Sequence, residues 1–396
     1  MLNQQQIAPI PAQPVTPPVN NNWRAIKWIA GITALLFALL VGLIVFALIG
    51  ADIFSQGGQG GLLALFIGLV FATIPVPVYV ILVLWIDRYE SEPIWLLGVA
   101  FVWGATIAAF LAFFINSIGG AIVTAVANQA IGEFFGAVIS APIVEESAKA
   151  MVLFVLFFWK KDEFDGIVDG VVYASMVALG FAMTENIKYY SQAALGGEGT
   201  LTVTVILRGM MSPFAHPLFT SMTGIGLGWS RLTDNKVIKY IAPPLGLLTA
   251  MGFHATWNLS AMLASSSGLL FLLIYFLLMV PAFVAALTVI FFALKGEGRI
   301  VREYLQPDVQ TGMLSPEEYA SLSTIRGRMG ASMGALRNGG ISHWRARQQI
   351  NQVASELAFH RRRAQKGLYT NQQDVVNREV AYINQLFDLR KRLQQR

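Results

Sequence analysis

The sequence contains no cysteine and very little charge. The lack of cysteine excludes disulfides, zinc-thiolate sites and thiol nucleophiles, so any catalysis must use other groups. Only 13% of the 396 residues are charged, whereas an average soluble protein has about 25%, and 55% of the residues are hydrophobic. The missing charge indicates a surface exposed to lipid, and therefore an integral membrane protein.

Eight apolar runs are each near or above the roughly 20 residues that a membrane-crossing helix needs. They are Trp28–Ala51, Leu62–Ile86, Ile94–Asn116, Phe135–Trp159, Val168–Ile187, Leu201–Trp229, Val237–Leu263 and Gly268–Leu294. We therefore predict an all-α fold, a polytopic transmembrane bundle of about eight spans. The apolar stretch Ser117–Phe134 is expected to form an outer interfacial or re-entrant helix, because one continuous helix through it would be too long for a single crossing.

The two ends of the chain differ in composition from the membrane domain, which we place at residues 23–294. Residues 1–22 are rich in Pro, Gln and Asn and are predicted to be disordered. Residues 295–396 hold 17 of the 28 basic residues and 9 of the 23 acidic residues, a net charge near +8. With apolar residues every three to four positions, this region is predicted to be a small helical cytoplasmic tail. We expect its basic face to contact anionic lipid, and not nucleic acid.

The distribution of basic residues also predicts the orientation of the chain. With a cytoplasmic N-terminus, nearly all Lys and Arg residues outside the spans fall on the inner side, as the positive-inside rule requires. We therefore predict a multi-pass protein of the cell membrane with both termini in the cytoplasm.

A few ionisable residues lie inside the apolar runs, although a charge at the centre of a membrane costs on the order of 3 kcal/mol. Most of them occur in four motifs, EESAK, FAMTEN, HPLFT and HATWN, on four different spans. Positions four apart lie on one face of a helix. Three pairs have this spacing: Glu145 with Lys149, His216 with Thr220, and His254 with Asn258. Their depths along the spans overlap, so the helices can bring them to one cavity.

Each of these residues also has a structural explanation. Glu145 and Lys149 could be a buried ion pair, the two histidines could bond to backbone carbonyls, and Gly224 with Gly228 is typical of close helix packing. Taken together, however, the set is costly to keep for packing alone. A glutamate beside a second acid, Glu146, can hold a water and act as a general base, and His254 with Asn258 can stabilise an oxyanion. This combination predicts a hydrolase for an acyl substrate, with Glu145 as the preferred base.

The order of the motifs EESAK, FAMTE and HATWN on successive spans resembles the PrsW family of intramembrane proteases, which are relatives of the CAAX prenyl endopeptidases. The segment DRYESEP before the third span is similar to a pattern in that family, and the resemblance covers roughly Asp87–Leu263. It implies a polytopic protease whose substrates are membrane-anchored proteins such as anti-sigma factors. No cofactor or metal ion is expected. The implied roles are a glutamate pair at Glu145 and Glu146, a third acid at Glu185, and an oxyanion site at His254 and Asn258, with Lys149, His216 and Thr220 in support.

Other classes of protein remain open at this point. CAAX endopeptidases have a histidine where this chain has Glu185, which argues against a prenylated substrate. A metal-dependent protease could use His216, His254 and a glutamate as ligands, although no H-E-x-x-H motif is present. A proton-coupled transporter could use the same acids as a relay, but it predicts two similar halves, which we do not find.

The tail contains GASMG, which matches the G-x-S-x-G motif of serine hydrolases. That motif requires a strand before it, and no alternating strand pattern precedes it here. We therefore interpret it as a flexible connector.

Overall fold

All regular secondary structure in the described residues is helical. A computed structural model describes residues 21–264, 267–367 and 371–394, and those ranges contain no strand. Most of the predicted disordered segment, residues 1–20, lies outside the described residues. A helix satisfies its backbone hydrogen bonds internally, as a chain in hydrocarbon must. The predicted all-α polytopic bundle is confirmed.

The described chain as far as Trp159 forms seven helices. These are α1 (Asn21–Gly57), α2 (Gly60–Thr73), α3 (Val76–Ile86), α4 (Ile94–Trp103), α5 (Ala109–Val126), α6 (Gln129–Phe134) and α7 (Ala141–Trp159). Short π-helical stretches, Gly104–Ala108 and Phe135–Ser140, connect α4 to α5 and α6 to α7. Pro75 stands at the start of α3 and has no backbone N–H, so the helical hydrogen bonding is interrupted between α2 and α3.

The rest of the chain forms nine further helices in the described residues. These are α8 (Ile167–Leu195), α9 (Glu198–Val205), α10 (Ala215–Leu232), α11 (Lys236–Ala264), α12 (Gly268–Ile274), α13 (Val280–Gln310), α14 (Pro316–Leu322), α15 (Ile325–Gln365) and α16 (Gln372–Gln394). Two more π-helical stretches occur here. Ile206–Met211 follows α9, and Tyr275–Met279 joins α12 to α13.

Five helical stretches, and not eight, are long and apolar enough to cross a membrane by length and composition. They are Ile29–Gly57, Gly60–Ile86, Ile94–Val126, Ile167–Leu195 and Gly268–Gln310. The three remaining predicted runs are also helical, but their helices α7, α10 and α11 carry Glu145, His216 and His254. Helix α7 has three charged residues within 19 positions, and the run Leu201–Trp229 is interrupted after Met211, so that α10 has only 18 residues. The count of eight spans stays a prediction.

The segment Ser117–Phe134 does not form one helix of its own, and its interfacial or re-entrant placement stays a prediction. Helix α5 continues the stretch that begins at Ile94 as far as Val126. The chain then turns at Ala127 and Asn128, and the Asn128 side chain caps α6 by accepting a hydrogen bond from the backbone N–H of Ile131. The segment is therefore divided between the end of one membrane-length helix and the start of the next.

Helix α8 lies at the centre of the bundle. In its most apolar stretch of 18 residues, 89% of the residues are buried. It packs directly against α10 at two glycines, since a Cβ atom on Gly170 would lie 2.1 Å from the carbonyl oxygen of Gly224. Helix α10 packs as closely on α11, where a Cβ on Gly226 would lie 2.4 Å from the carbonyl oxygen of Ala242. Only glycine permits these approaches. They hold α8, α10 and α11 side by side, and these three helices carry three of the four polar motifs.

The C-terminal helices pack against one end of the bundle, which we call the tail end. Helix α13 runs without a break through the predicted boundary at residue 294, and buried residues of the bundle and of the tail form one apolar cluster. In α15, Ile350, Val353 and Leu357 recur every three to four positions and are buried, whereas Trp344 is exposed. The GASMG motif is helical and not a flexible connector. The kink in α15 comes later, at Gly340, whose φ of 67° favours glycine.

Candidate functional site

Helix α7 carries three charged residues that neutralise one another in part. Lys149 is fully buried, and its Nζ atom lies 2.8 Å from Glu146 Oε1 and 3.5 Å from Glu145 Oε2. The ammonium also lies 3.9 Å from the centre of the Phe181 ring of α8, a cation–π contact. One lysine thus faces both glutamates, which leaves the group with an excess negative charge.

Glu146 is the connecting residue of the site, with every bond directed to another helix or to Lys149. It is fully buried, and besides the lysine it accepts a hydrogen bond from Thr220 Oγ1 at 2.8 Å. His254 Nδ1 lies 3.0 Å from its Oε1 atom. Because both carboxylate oxygens have partners from α10 or α11, Glu146 holds the three helices α7, α10 and α11 together.

Glu145 differs from Glu146 because one of its oxygens has no hydrogen-bond partner. Its Oε2 atom is buried and forms no hydrogen bond, although it lies 3.5 Å from Lys149 Nζ, in an ion pair, and 3.8 Å from His254 Nε2. Glu145 also lines a cavity of about 240 Å³, together with Glu185 and Lys188. A buried polar atom without a partner requires an explanation, such as a water, an ion or a catalytic role. Glu145 is therefore the less fully bonded glutamate of the pair.

The third acid, Glu185, is held by a cation from another segment of the chain. Its Oε2 atom accepts a hydrogen bond from Arg208 Nη2 and lies 2.9 Å from His216 Nε2. The Arg208 Nε atom donates to Asn186 Oδ1 at 2.6 Å, and its guanidinium lies 4.0 Å from the centre of the Tyr189 ring. Sequence reasoning missed Arg208. The available signal was an arginine inside the apolar run Leu201–Trp229, which requires an acidic partner.

The two histidines lie between the charged residues, and their ring centres are 5.2 Å apart. His216 Nδ1 lies 3.2 Å from Lys149 Nζ, and an ammonium group only donates. We infer that His216 accepts at Nδ1 and carries its proton on Nε2, toward Glu185. In the same way, His254 carries a proton on Nδ1, toward the carboxylate of Glu146. Neutral His254 then presents a lone pair at Nε2, and it can donate from Nε2 to an oxyanion only when the ring is doubly protonated.

Asn258 lies one helical turn beyond His254 and bonds outside this network. Its Nδ2 atom donates to the backbone oxygen of Ala137 at 2.8 Å. Ala137 belongs to the π-helical stretch before α7 and lines the cavity at Glu145. The structure therefore brings seven of the eight sequence-predicted residues into one network and leaves Asn258 outside it. The seven are Glu145, Glu146, Lys149, Glu185, His216, Thr220 and His254.

The residues present fit a metal ion in type and in spacing. Ligand atoms of Glu145, His216 and His254 all lie within 4.8 Å of one another. One carboxylate and two imidazoles form a known ligand set of catalytic zinc, and the unpaired Glu145 Oε2 atom is free to bind. The Glu146 carboxylate at His254 Nδ1 resembles the second partner that usually orients a metal-binding histidine. His216 has a partner at each ring nitrogen, so it must exchange one of them to become a ligand.

Fold and site together define a multi-pass helical membrane protein with a buried centre of glutamate, lysine and histidine. Residues 92–286 match the family model described as "PrsW family intramembrane metalloprotease". The chain belongs to the PrsW family, as the sequence motifs predict.

Three relatives illustrate the similarity, each named Protease PrsW. The Geobacillus kaustophilus protein is 33% identical over 157 residues, which are 39% of this chain and 63% of that protein. The Bacillus subtilis protein is 30% identical over 173 residues, 43% of this chain and 72% of its own length. The Clostridioides difficile protein is 26% identical over 195 residues, 49% and 78% of the two chains. The chain thus spans less than two thirds of the first relative. No solved structure matches it significantly.

Proposed function

We propose that the protein is an intramembrane protease that hydrolyses a peptide bond of a membrane-anchored protein with a water activated at Glu145. The observation that carries this proposal is the buried, unpaired Oε2 atom of Glu145 beside the cavity. The names of the relatives support proteolysis as the reaction. A carboxylate that has a free oxygen and faces a cavity can accept a proton from a bound water.

The other residues of the cluster have supporting roles in this proposal. Glu146 orients His254 through Nδ1, and His254 faces Glu145 through Nε2. A proton that reaches Nε2 makes the ring a donor for an oxyanion or for the leaving amine. Lys149 offsets the charge of the two glutamates, and Arg208 offsets that of Glu185. The site can therefore hold three acids inside the membrane without exposing them to lipid.

The cavity also indicates how a substrate approaches Glu145. Its lining comes from α5, α7 and α8, and from Val45 and Ile49 of α1. The first helix lies outside both the sequence resemblance and the matched residues 92–286, and yet it forms part of the wall. We propose that a substrate segment reaches the Glu145 carboxylate between α1 and the helices that follow it.

A metal-dependent mechanism is a second candidate, favoured by the grouping of Glu145, His216 and His254. In this version Glu145 and His254 would bind the ion directly and Glu146 would orient His254. A bound zinc ion supplies a water of lowered pKa and polarises the scissile carbonyl. His216 would have to give up its contact with Lys149 or with Glu185 to bind the ion.

The test is a cleavage assay with the purified full-length protein in vesicles and a fluorescent single-span reporter as substrate. Glu145→Gln should lower the cleavage rate at least about 100-fold, which is the usual contribution of a general base. Glu133→Gln is the matched control, because Glu133 is an exposed glutamate in the neighbouring helix α6. Cleavage at the wild-type rate by Glu145→Gln would refute the proposed role of Glu145.

The same assay separates the two mechanisms. A membrane-permeable zinc chelator should leave the rate unchanged if the glutamate alone activates the water. Loss of activity with the chelator, restored by added zinc, would assign the metal mechanism. Metal analysis of the purified protein and of His254→Ala gives a readout that is independent of activity.

A further inference from the structure

A second cavity, of about 470 Å³, lies at the tail end between the bundle and the tail, and we call it the interface cavity. One wall is formed by the end of α3 and the residues after it, including Asp87 and Arg88. The opposite wall is formed by α15, including Arg328 and Asn351. Its volume is in the range of small-molecule binding sites. None of these residues belongs to the candidate site around Glu145.

Three residues that line the interface cavity carry buried polar atoms without a hydrogen-bond partner. The atoms are Asp87 Oδ1, Arg88 Nη2 and Asn351 Oδ1. Seven such atoms occur in the described part of the chain, and three of the seven belong to residues that line this cavity. The side chains of Asp87 and Asn351 are only 3% and 4% exposed. A buried group that lacks a partner is costly, which points to a ligand that supplies one.

The rest of each side chain is already held in place. Asp87 Oδ2 accepts a hydrogen bond from the backbone N–H of Glu92 at 2.8 Å, and Asn351 Nδ2 donates to Ser332 Oγ at 3.2 Å. Arg88 donates through Nε to the backbone oxygen of Trp85 at 2.8 Å and stacks on the ring of the same residue. The unpaired atoms are thus one cationic donor and two acceptors, one of them on a carboxylate. A complementary ligand has an anionic group for Arg88 and a positively charged N–H donor for the two oxygens.

The position of the interface cavity points to a lipid as the source of such a ligand. Helix α3 ends a stretch that is long and apolar enough to cross a membrane, and Asp87 follows it directly. Tryptophan is typical of the membrane–water interface, and each wall contributes one. Large apolar side chains of the lining are exposed on both walls: Ile81, Leu84 and Trp85 on α3, and Met329, Met333 and Trp344 on α15. Acyl chains can lie against this exposed apolar surface while the head group enters the cavity.

We propose that the interface cavity binds the head group of a phosphoethanolamine-type phospholipid, with the phosphate at Arg88 and the primary ammonium at Asp87 and Asn351. Such a head group carries both charges that the unpaired atoms require. The lipid would contact both walls at once, so it would couple the tail to the membrane bundle. The proposal does not depend on the proposed protease activity.

The proposal predicts selectivity among lipids that differ only in the head group. Delipidated full-length protein is titrated with dioleoyl phosphatidylethanolamine, phosphatidylcholine or phosphatidylglycerol, and binding is measured by native mass spectrometry. The ethanolamine lipid should bind at least about tenfold more tightly than the other two. Choline has no N–H to donate, and glycerol has no positive charge. Equal binding of the three lipids by the wild-type protein would overturn the proposal without any variant.

A soluble ligand with the same chemistry is tested in a separate arm. Glycerophosphoethanolamine has the head group but no acyl chains, and it should compete only at a concentration at least about 100-fold higher, because it buries no apolar surface. Competition at the same concentration as the lipid would overturn the assignment to a membrane lipid.

Two variants connect the selectivity to the cavity. Arg88→Gln removes the proposed phosphate contact, and Asn351→Leu replaces an ammonium acceptor with an apolar group of similar volume. Each should weaken binding of the ethanolamine lipid about tenfold and reduce its advantage over the other lipids. Arg337→Gln is the matched control, because Arg337 is exposed on the same helix α15. An unchanged preference in both variants, or an equal loss in Arg337→Gln, would refute the assigned site.

Discussion

The two ends of helix α8 hold acidic residues in different ways. Glu185, in the candidate site, has an arginine from another segment as its partner, and Lys149 serves the two glutamates of α7. Asp169, roughly 24 Å away along the helix, instead accepts hydrogen bonds from the backbone N–H groups of Asp165 and Gly166. Inside the membrane the acids are paired with cations, whereas at the tail end backbone groups also satisfy them. The first arrangement can support chemistry, and the second fixes loops.

The tail is part of this second arrangement. Glu90, in the loop after α3, forms an ion pair of 2.5 Å with Arg363 of α15, and Arg328 donates to the backbone oxygen of Arg88. Glu92 in the same loop accepts a hydrogen bond from Tyr173 of α8. The loop that contains the DRYESEP motif is therefore enclosed by α8 on one side and by the tail on the other. Its acidic residues have a structural role that does not require them to take part in catalysis.

The largest effect is expected when the buried pairing in the candidate site is broken. Glu146→Gln leaves Lys149 without its closest carboxylate at 2.8 Å, and removal of one partner from a buried ion pair costs about 3 to 5 kcal/mol. Glu145→Gln should cost far less, since Glu145 is 3.5 Å from the lysine and has an unpaired oxygen. Thermal unfolding in detergent measures both. Equal destabilisation by the two substitutions would contradict the different roles that we assign to the two glutamates.

A smaller effect is expected from the cation that holds Glu185. Arg208→Gln removes that partner and should lower cleavage about 10- to 100-fold, as for other residues that orient a catalytic group. Arg208→Lys keeps the charge and should restore part of the rate. A purely structural role predicts instead that activity follows the amount of folded protein. The measurement is therefore the cleavage rate per folded molecule in both variants.

At the tail end, the pair of Glu90 and Arg363 should contribute less again. A double-mutant cycle with Glu90→Gln and Arg363→Gln should give a coupling energy of about 1 to 2 kcal/mol, because both side chains are largely but not fully buried. Thermal unfolding of the two single variants and of the double variant measures it. A coupling near zero would mean that this ion pair does not help to hold the tail on the loop.

The most gradual effect is a dependence of stability on pH at Asp87, which is spread over several pH units. In the delipidated protein, burial raises the pKa of Asp87 to about 8, and the negative charge of Asp169 adds to this, although the backbone N–H of Glu92 lowers it. A bound ammonium group would favour the carboxylate form instead. Because the folded pKa is above the unfolded value, the folded state binds the extra proton between about pH 4 and pH 8. The contribution to stability is thus present below about pH 4 and is lost as the pH rises to about 8, by no more than about 1.4 kcal/mol per pH unit.

Melting temperatures of the delipidated protein across this range test the effect. Asp87→Asn should give a flatter profile than the wild type, because the substituted side chain does not titrate. A profile with the same slope in both proteins would assign the pH dependence to other groups.

The sequence alone determined the class of protein and most residues of the candidate site. Charge is so costly in hydrocarbon that Glu145, Glu146 and Glu185 stand out in any apolar run, and helical spacing puts Lys149 beside the first of them. The apolar runs predict helices because a single segment in lipid can satisfy all its backbone hydrogen bonds only as a helix. Family membership could be predicted for the same reason, since the motifs consist of these conspicuous residues.

Only the tertiary structure decided which of these residues contact one another across helices, and therefore how their environments differ. The rotation of each helix and the close contacts at Gly170 and Gly226 determine which side chains meet, and no spacing along the chain encodes those contacts. They make Glu146 a fully bonded connection and leave Glu145 with a free oxygen. They also bring Arg208 to Glu185 from another helical segment. Spacing predicts partners within one helix, but partners on different helices depend on distances that form only when the whole bundle packs.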